Sequence, residues 1–326
     1  MKWPNGKRAA FAIIDDTDDA ELPEISEVYA HLIAAGLRTT KTVWVYPPRD
    51  LRYVRGDSLV GSADYTEFVR DLVQRGFEIG IHNVGSGGFT REETIEGIET
   101  FEKLLGFYPA IHVNHSYNKE NIYSGDKRFG LPFRPVVRKL HSDYTGFEGD
   151  MPGSLYFWGD VHKKHIRWSR SLEVDRLNLL RLVNFPYKDR KFSDYCNAFF
   201  PSTFCPNQDI FARMVTEENI RKLIDEGGAA IIYTHFGYYH ERGTLDEAFV
   251  KACDMLALHA DDIWFAPVGE ILDYLAQQNG IRQISLWARL RLEFECLVTR
   301  FKYRYIVPLD DFHYKKSIGM KHRADD

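Results

Sequence analysis

Cysteine is scarce and scattered. Cys196, Cys205, Cys253 and Cys296 make no CxxC pair, which weighs against a disulfide scaffold or a zinc–thiolate centre. Neither GxGxxG nor GxxxxGK[ST] occurs, so no glycine-rich cradle for phosphates is present. No apolar run approaches the ~20 residues that cross a bilayer. The first apolar stretch is cut short by Asp15 and Asp16, so no signal-peptide core is visible, and a reduced, cytoplasmic protein is expected. Basic residues do not exceed acidic ones: 42 Lys and Arg face 47 Asp and Glu, a net charge of -5. That balance argues against a nucleic-acid partner. No internal repeat is visible.

What is present is a chain of 326 residues, 44% hydrophobic and 14% aromatic, enough to build a core that holds a polar site rigidly. Short apolar runs alternate with helical patterns. The run Ala10–Ile14 precedes a helix spaced by Ile25, Val28, Tyr29, Leu32 and Ile33 and stopped at Gly36. "TTKTVWVYP" reads as a strand, followed by a helix from Ser62 to Gly76, then the strand "FEIGIH". Thr90 and Glu93 form a capping box for a helix closed by Gly106. "AIHVNH" is the next strand. In the middle, "GSLYFWGD" and "LNLLRLVNF" look like strands. From Thr216 the rhythm returns through "AAIIYTHF", a helix opened by Thr244 and Glu247, "IWFAPV" and "GEILDYLAQQNG". About eight strands, mainly parallel and joined by crossover helices, suggest an α/β barrel.

Polar residues recur where these strands end. Asp15 and Asp16 follow the first, His82 the third, His115 the fourth, and His235 the run "AAIIYT". In barrels the chemistry collects at the C-terminal mouth of the strands. Four aspartates between Asp15 and Asp19 repel one another and resist desolvation; a divalent cation reverses that cost. Carboxylate with imidazole suits zinc or a similar metal. One of the adjacent aspartates would bind it while the other handles a proton. The plainer reading, a loop or helix-start acidic cluster, fits Asp18 and Asp19.

Three stretches resemble the polysaccharide deacetylase (NodB-homology) family. "FAIIDDTDD" is similar to its first motif, "GFEIGIHNVGS" to its second and "AIIYTHF" to its last. The resemblance runs over roughly residues 8–280. It implies a distorted (β/α)7-8 barrel, placed over residues 1–282; beyond it the spacing reads as a C-terminal amphipathic helix and tail over 283–326. It implies metal-dependent removal of acetyl groups from sugars, with Asp15 as general base, His235 as general acid and Asp16 and His82 as metal ligands. The expected metal is zinc, and the substrate a carbohydrate or glycan intermediate inside the cell. The chain departs from the pattern in two places. The second motif's second histidine is Ser86, and the third motif's arginine is missing. His115 is expected to replace the lost imidazole, with His112 and Asn114 behind it. The departures keep open a catalytically silent carbohydrate-binding or scaffold protein. A further option is another metal-dependent amide hydrolase.

Substrate contacts are expected from Trp158, Arg167 and Trp168 in an aromatic, basic segment, where rings stack on sugars and cations meet anionic groups. Tyr238 and Arg242 join them because they follow His235. In the tail, Trp287, Leu290, Phe294, Leu297, Val298 and Phe301 recur at helical spacing. Packing on the barrel is the favoured reading. A peripheral membrane contact ranks second, because Glu293 and Glu295 dilute the helix's positive charge.

Overall fold

The computed structural model describes residues 2–49, 54–140, 145–241 and 244–307. Twelve strands are formed among them: β1 (Ala9–Asp15), β2 (Thr40–Val43), β3 (Glu78–His82), β4 (Ile111–Val113), β5 (Trp168–Val174), β6 (Tyr187–Lys188), β7 (Ala198–Phe204), β8 (Ala229–Thr234), β9 (His240–Glu241), β10 (Thr244–Leu245), β11 (Ile263–Phe265) and β12 (Arg282–Gln283). The helices are α1 (Leu22–Ala34), α2 (Ala63–Gln74), α3 (Arg91–Leu105), α4 (Phe133–Leu140), α5 (Gly159–His165), α6 (Gln208–Met214), α7 (Glu217–Asp225), α8 (Glu247–Leu258), α9 (Val268–Asn279) and α10 (Leu286–Tyr305).

Seven strands close into a parallel barrel in the order β1-β2-β3-β4-β5-β7-β8 and back to β1. β8 runs along one edge of β1 from Ala10 to Asp15. The other edge is shared, with β11 pairing Ala9–Phe11 and β2 pairing Ile14 and Asp15. β11 is therefore a partial eighth strand wedged at the base, which is where the barrel is distorted. β1 is buried at every position, as a strand covered on both faces must be. The capping box at Thr90 forms as its sequence dictates. α8 begins differently: Asp246, not Thr244, accepts from the Phe249 N–H.

The middle of the chain departs from the sequence reading. "GSLYFWGD" makes turns and then opens α5, and "LNLLRLVNF" is a loop with one 3-10 turn at Leu179–Arg181. Leu177, Leu179, Leu182, Val183 and Phe185 are nonetheless buried, so the apolar pattern reports burial without strand pairing. The barrel uses β5 and β7 instead. β7 carries Pro201, which cannot donate to a ladder. The β5–β7 register slips between Arg170 and Glu173, opposite Phe200 and Ser202. This bulge absorbs the proline.

α10 packs on β5 through Leu292, Glu293, Cys296, Thr299 and Tyr303. The helix therefore covers the barrel as expected, but through a different face. Trp287, Phe294, Val298 and Phe301 are exposed. Among the described residues no helix is long and apolar enough to cross a membrane, and all four cysteines are buried free thiols.

Candidate metal centre at the barrel mouth

The loop after β1 is pressed into the barrel mouth. Asp16 N–H still follows the β1–β8 ladder, donating to the Thr234 carbonyl. Beyond it the chain turns, with Asp19 in a left-handed conformation (φ 54°) tied to Arg55 through both its backbone and side chain. Gly237 lies against this loop, and a Cβ there would sit 2.4 Å from the Asp19 carbonyl carbon. The close approach brings the β8 end, with His235, onto the aspartates.

Asp15, expected as the base, is sealed in. It has no accessible surface. Its Oδ2 accepts from Lys41 Nζ and from the Tyr29 hydroxyl, both at 2.9 Å, and its Oδ1 accepts from the Phe236 N–H at 2.8 Å. Lys41 is equally enclosed. Both side-chain oxygens of Asp15 are thus engaged within the fold. The reason is register: Asp15 is the last paired residue of β1, matched with Thr234 and Lys41 on its two neighbours.

Asp16, expected as a metal ligand, makes a two-pronged ion pair with Arg170, at 2.8 and 2.7 Å. The guanidinium lies over the Tyr233 ring, 4.3 Å from its centre. Asp16 Oδ2 is 4.0 Å from His235 Nε2.

The carboxylate grouped with the histidines is Asp18. Its Oδ1 lies 3.3 Å from His82 Nε2 and 3.5 Å from His115 Nε2, and its Oδ2 lies 3.5 Å from His235 Nε2. Asp18, His82 and His115 each offer a ligand atom, all within 4.8 Å of one another. His82 ends β3. His115 follows β4, its backbone N–H donated to Asn83 Oδ1. Asn83 itself adopts φ 48°, a conformation asparagine tolerates better than most residues.

The donor set fits a cation. Asn118 Nδ2 donates to the Gly85 carbonyl and to Glu120, so its Oδ1 must accept, and His115 Nδ1 lies 3.2 Å from it. His115 Nδ1 therefore carries the proton, and its Nε2 lone pair faces Asp18. Asp18 Oδ1 is buried with no hydrogen-bond partner. Burial pushes the His115 pKa down, so a proton is poorly placed to relieve two facing lone pairs. A cation would relieve them. His235 differs: its Nδ1 meets the Pro206 carbonyl at 2.6 Å. Burial lowers its pKa, but Asp18 and Asp16 prevail and raise it to about 9.

The remaining expected residues separate. Tyr238 is at the site, its ring 5.3 Å from that of His235, though it is buried. Trp158 is buried beneath the mouth, donating its indole N–H to the Glu120 carbonyl and meeting His112 edge-on. Arg167 and Trp168 stack on each other at the opening residues of β5, the end away from the mouth, where Arg167 pairs with Asp273. Neither is placed to touch a ligand at the mouth. Arg242 lies outside the described residues. Ser86, at the position of the missing imidazole, is buried and its carbonyl accepts from Arg49 N–H. His112 lies 3.4 Å from Asn83 Oδ1, and Asn114 Nδ2 donates to the Ile122 and Tyr123 carbonyls. Both brace the loop that carries His115. Asp18, read from the sequence as part of a loop cluster, is instead grouped with the histidines, and Arg170, in the segment expected to touch substrate, pairs with Asp16. The signal for Arg170 was the alternation in "WSRSLEV", which puts Trp168, Arg170 and Leu172 on one strand face.

Neither a family model nor a curated protein matches the chain. Solved structures do. The structure of Puue allantoinase superposes with a TM-score of 0.51 at 13% identity, covering 85% of this chain and 93% of that one. A probable polysaccharide deacetylase from Pseudomonas aeruginosa PAO1 gives 0.50 at 14%, covering 86% and 94%. At such identities the likeness is one of fold: this chain carries the seven-stranded barrel architecture that these two proteins share.

Proposed function

We propose that the chain is a metal-dependent hydrolase that removes an acetyl group from a saccharide. Asp18, His82 and His115 would hold the cation, zinc by the chemistry of the donor set. The carrying observation is the orphaned Asp18 Oδ1 facing two imidazole nitrogens at the barrel mouth. When bound, the metal would make a water acidic and polarise the acyl carbonyl.

The protein's own groups divide the proton work. Arg170 holds Asp16 by a fork that fixes the carboxylate plane, and Asp16 takes the proton from the attacking water. His235, oriented by the Pro206 carbonyl, keeps its Nε2 proton through the neighbouring carboxylates and passes it to the departing amine or alcohol. A water oxygen becomes bonded to the acyl carbon, the bond to the sugar nitrogen or oxygen breaks, and acetate leaves. Arg170 on β5 gives Asp16 a cationic partner although the third motif's arginine is missing. The likeness to an allantoinase favours a second reading, in which the same groups cleave a non-sugar amide.

The test is acetate release from N- and O-acetylated sugars by zinc-loaded and chelator-stripped protein. Zinc-dependent release, lost in Asp16→Asn and His235→Asn, is expected. Zinc binding without release from any acetylated sugar would overturn the deacetylase reading. It would leave the amide hydrolase or the silent scaffold.

A further inference from the structure

α10 presents to solvent a face that the barrel does not use. Its exposed residues are Leu286, Trp287, Arg291, Phe294, Val298, Phe301, Arg304 and Tyr305. Trp287, Phe294 and Phe301 recur every seven residues, as do Arg291, Val298 and Tyr305, so they form one continuous stripe. Trp287 is 80% exposed and Tyr305 66%. The stripe widens onto α4 and the residues just before it, where Phe133 approaches Phe294, 6.4 Å between ring centres. There Leu131, Val136 and Leu140 are exposed at 77%, 51% and 68%.

Among the described residues the charge on this surface is of one sign. Glu293 and Glu295, which in the sequence offset the helix's cations, both turn away. Glu293 is buried and accepts from the Gly130 N–H, and Glu295 pairs with Arg176. Residues 131–140 contain no acid at all, and Arg138 and Lys139 are exposed there. Among the described residues, nine exposed apolar side chains are thus edged by Arg138, Lys139, Arg291 and Arg304, with no acidic residue among them. The chain as a whole carries -5, so this basic, aromatic patch is local.

We propose that the α10–α4 face is a peripheral docking surface for an anionic lipid bilayer. Aromatic rings at the interface and arginines among anionic headgroups are the chemistry such a surface uses. A second copy of this chain fits less well, because self-pairing would bring the same arginines together. The last turn of α10 lies beside the mouth, since Lys302 and Tyr303 hold Asp175, the residue after β5. Docking would therefore set the mouth near the lipid surface. Binding itself does not depend on the proposed hydrolysis.

The experiment is co-sedimentation of the full chain with vesicles of phosphatidylcholine alone or mixed with phosphatidylglycerol. Tryptophan emission gives a parallel readout, because Trp287 is the exposed one of six tryptophans. Binding to the anionic vesicles with a blue shift, weakened by salt, is expected. The triple variant Trp287→Ser/Phe294→Ser/Phe301→Ser should lose roughly tenfold or more of that affinity, and Arg291→Glu/Arg304→Glu should lose the preference for anionic lipid. All five positions are exposed, so the variants keep the core. Wild-type protein that stays in the supernatant, a triple variant that binds equally, or a face that instead buries itself in a concentration-dependent dimer would overturn the proposal.

Discussion

Asp15 and Asp16 are adjacent, and each has a cationic partner, yet the two ion pairs do different jobs. Asp15 and Lys41 are both without accessible surface, and every oxygen of Asp15 is used within the fold. The pair sits below the mouth and pins the start of the β8 loop, through Phe236, to β1. Asp16 and Arg170 sit one step further out. There the carboxylate is held in a fixed plane yet lies 4.0 Å from the imidazole of His235. The comparison teaches that a row of aspartates at a strand end is sorted by register. The last paired residue faces the enclosed wall, and the first unpaired ones face the mouth.

The largest effect that would break this contrast concerns stability. Asp15→Ala leaves Lys41 charged and buried, and should cost about 3–5 kcal/mol of unfolding free energy, read by urea titration. Replacing both partners, Asp15→Leu with Lys41→Met, should recover most of the loss. A mild effect of the single change would show that water reaches the pair in solution. Asp16→Asn should lower turnover by about 10^2–10^4; it also takes a partner from a buried guanidinium, so the urea midpoint should fall, but less than in Asp15→Ala because Glu173 still faces Arg170 at 3.9 Å. Equal destabilisation by the two variants would erase the distinction.

The smallest effect comes from a carboxylate on the strand beside Lys41, at the end of β3 away from the mouth. Glu78 opens β3, accepting from the Thr40 hydroxyl at 2.6 Å and the Gly269 N–H at 2.9 Å. Burial raises its pKa to about 7 against those bonds. The folded chain therefore binds its proton more tightly than the unfolded chain does. That contribution is complete below the ordinary glutamate range and is lost as the pH climbs through about 7. With allowance for its partial exposure the loss is about 1–2 kcal/mol. Glu78→Gln should remove this slope, raising the melting temperature at pH 8 relative to wild type and changing it little at pH 5. An unchanged slope would show that Glu78 ionises freely in the fold.

Much of the barrel was legible because helix caps and apolar runs are local signals. Thr90 with Glu93 and the enclosed run of β1 required nothing distant. β5 and β7 were hidden because their polar alternation and Pro201 look unlike a buried strand, and only the bulge opposite the proline reconciles them. The mouth was legible as a place, since His82, His115 and His235 all follow strands. The division of labour among the aspartates was not, because it depends on which residue last pairs with Thr234. That is a property of register rather than of the motif "DDTDD". The exposure of Trp287 and Phe294 was hidden for the same kind of reason. Helical spacing shows that a stripe exists, and tertiary packing decides which side of the helix turns inward.

Asp18, and not Asp16, is proposed to join His82 and His115 around the cation. Zinc content per chain after dialysis, measured by mass spectrometry on wild type, Asp16→Asn and Asp18→Asn, tests it directly. One zinc is expected in wild type and in Asp16→Asn, and none retained by Asp18→Asn. Zinc held by Asp18→Asn and lost from Asp16→Asn would contradict it.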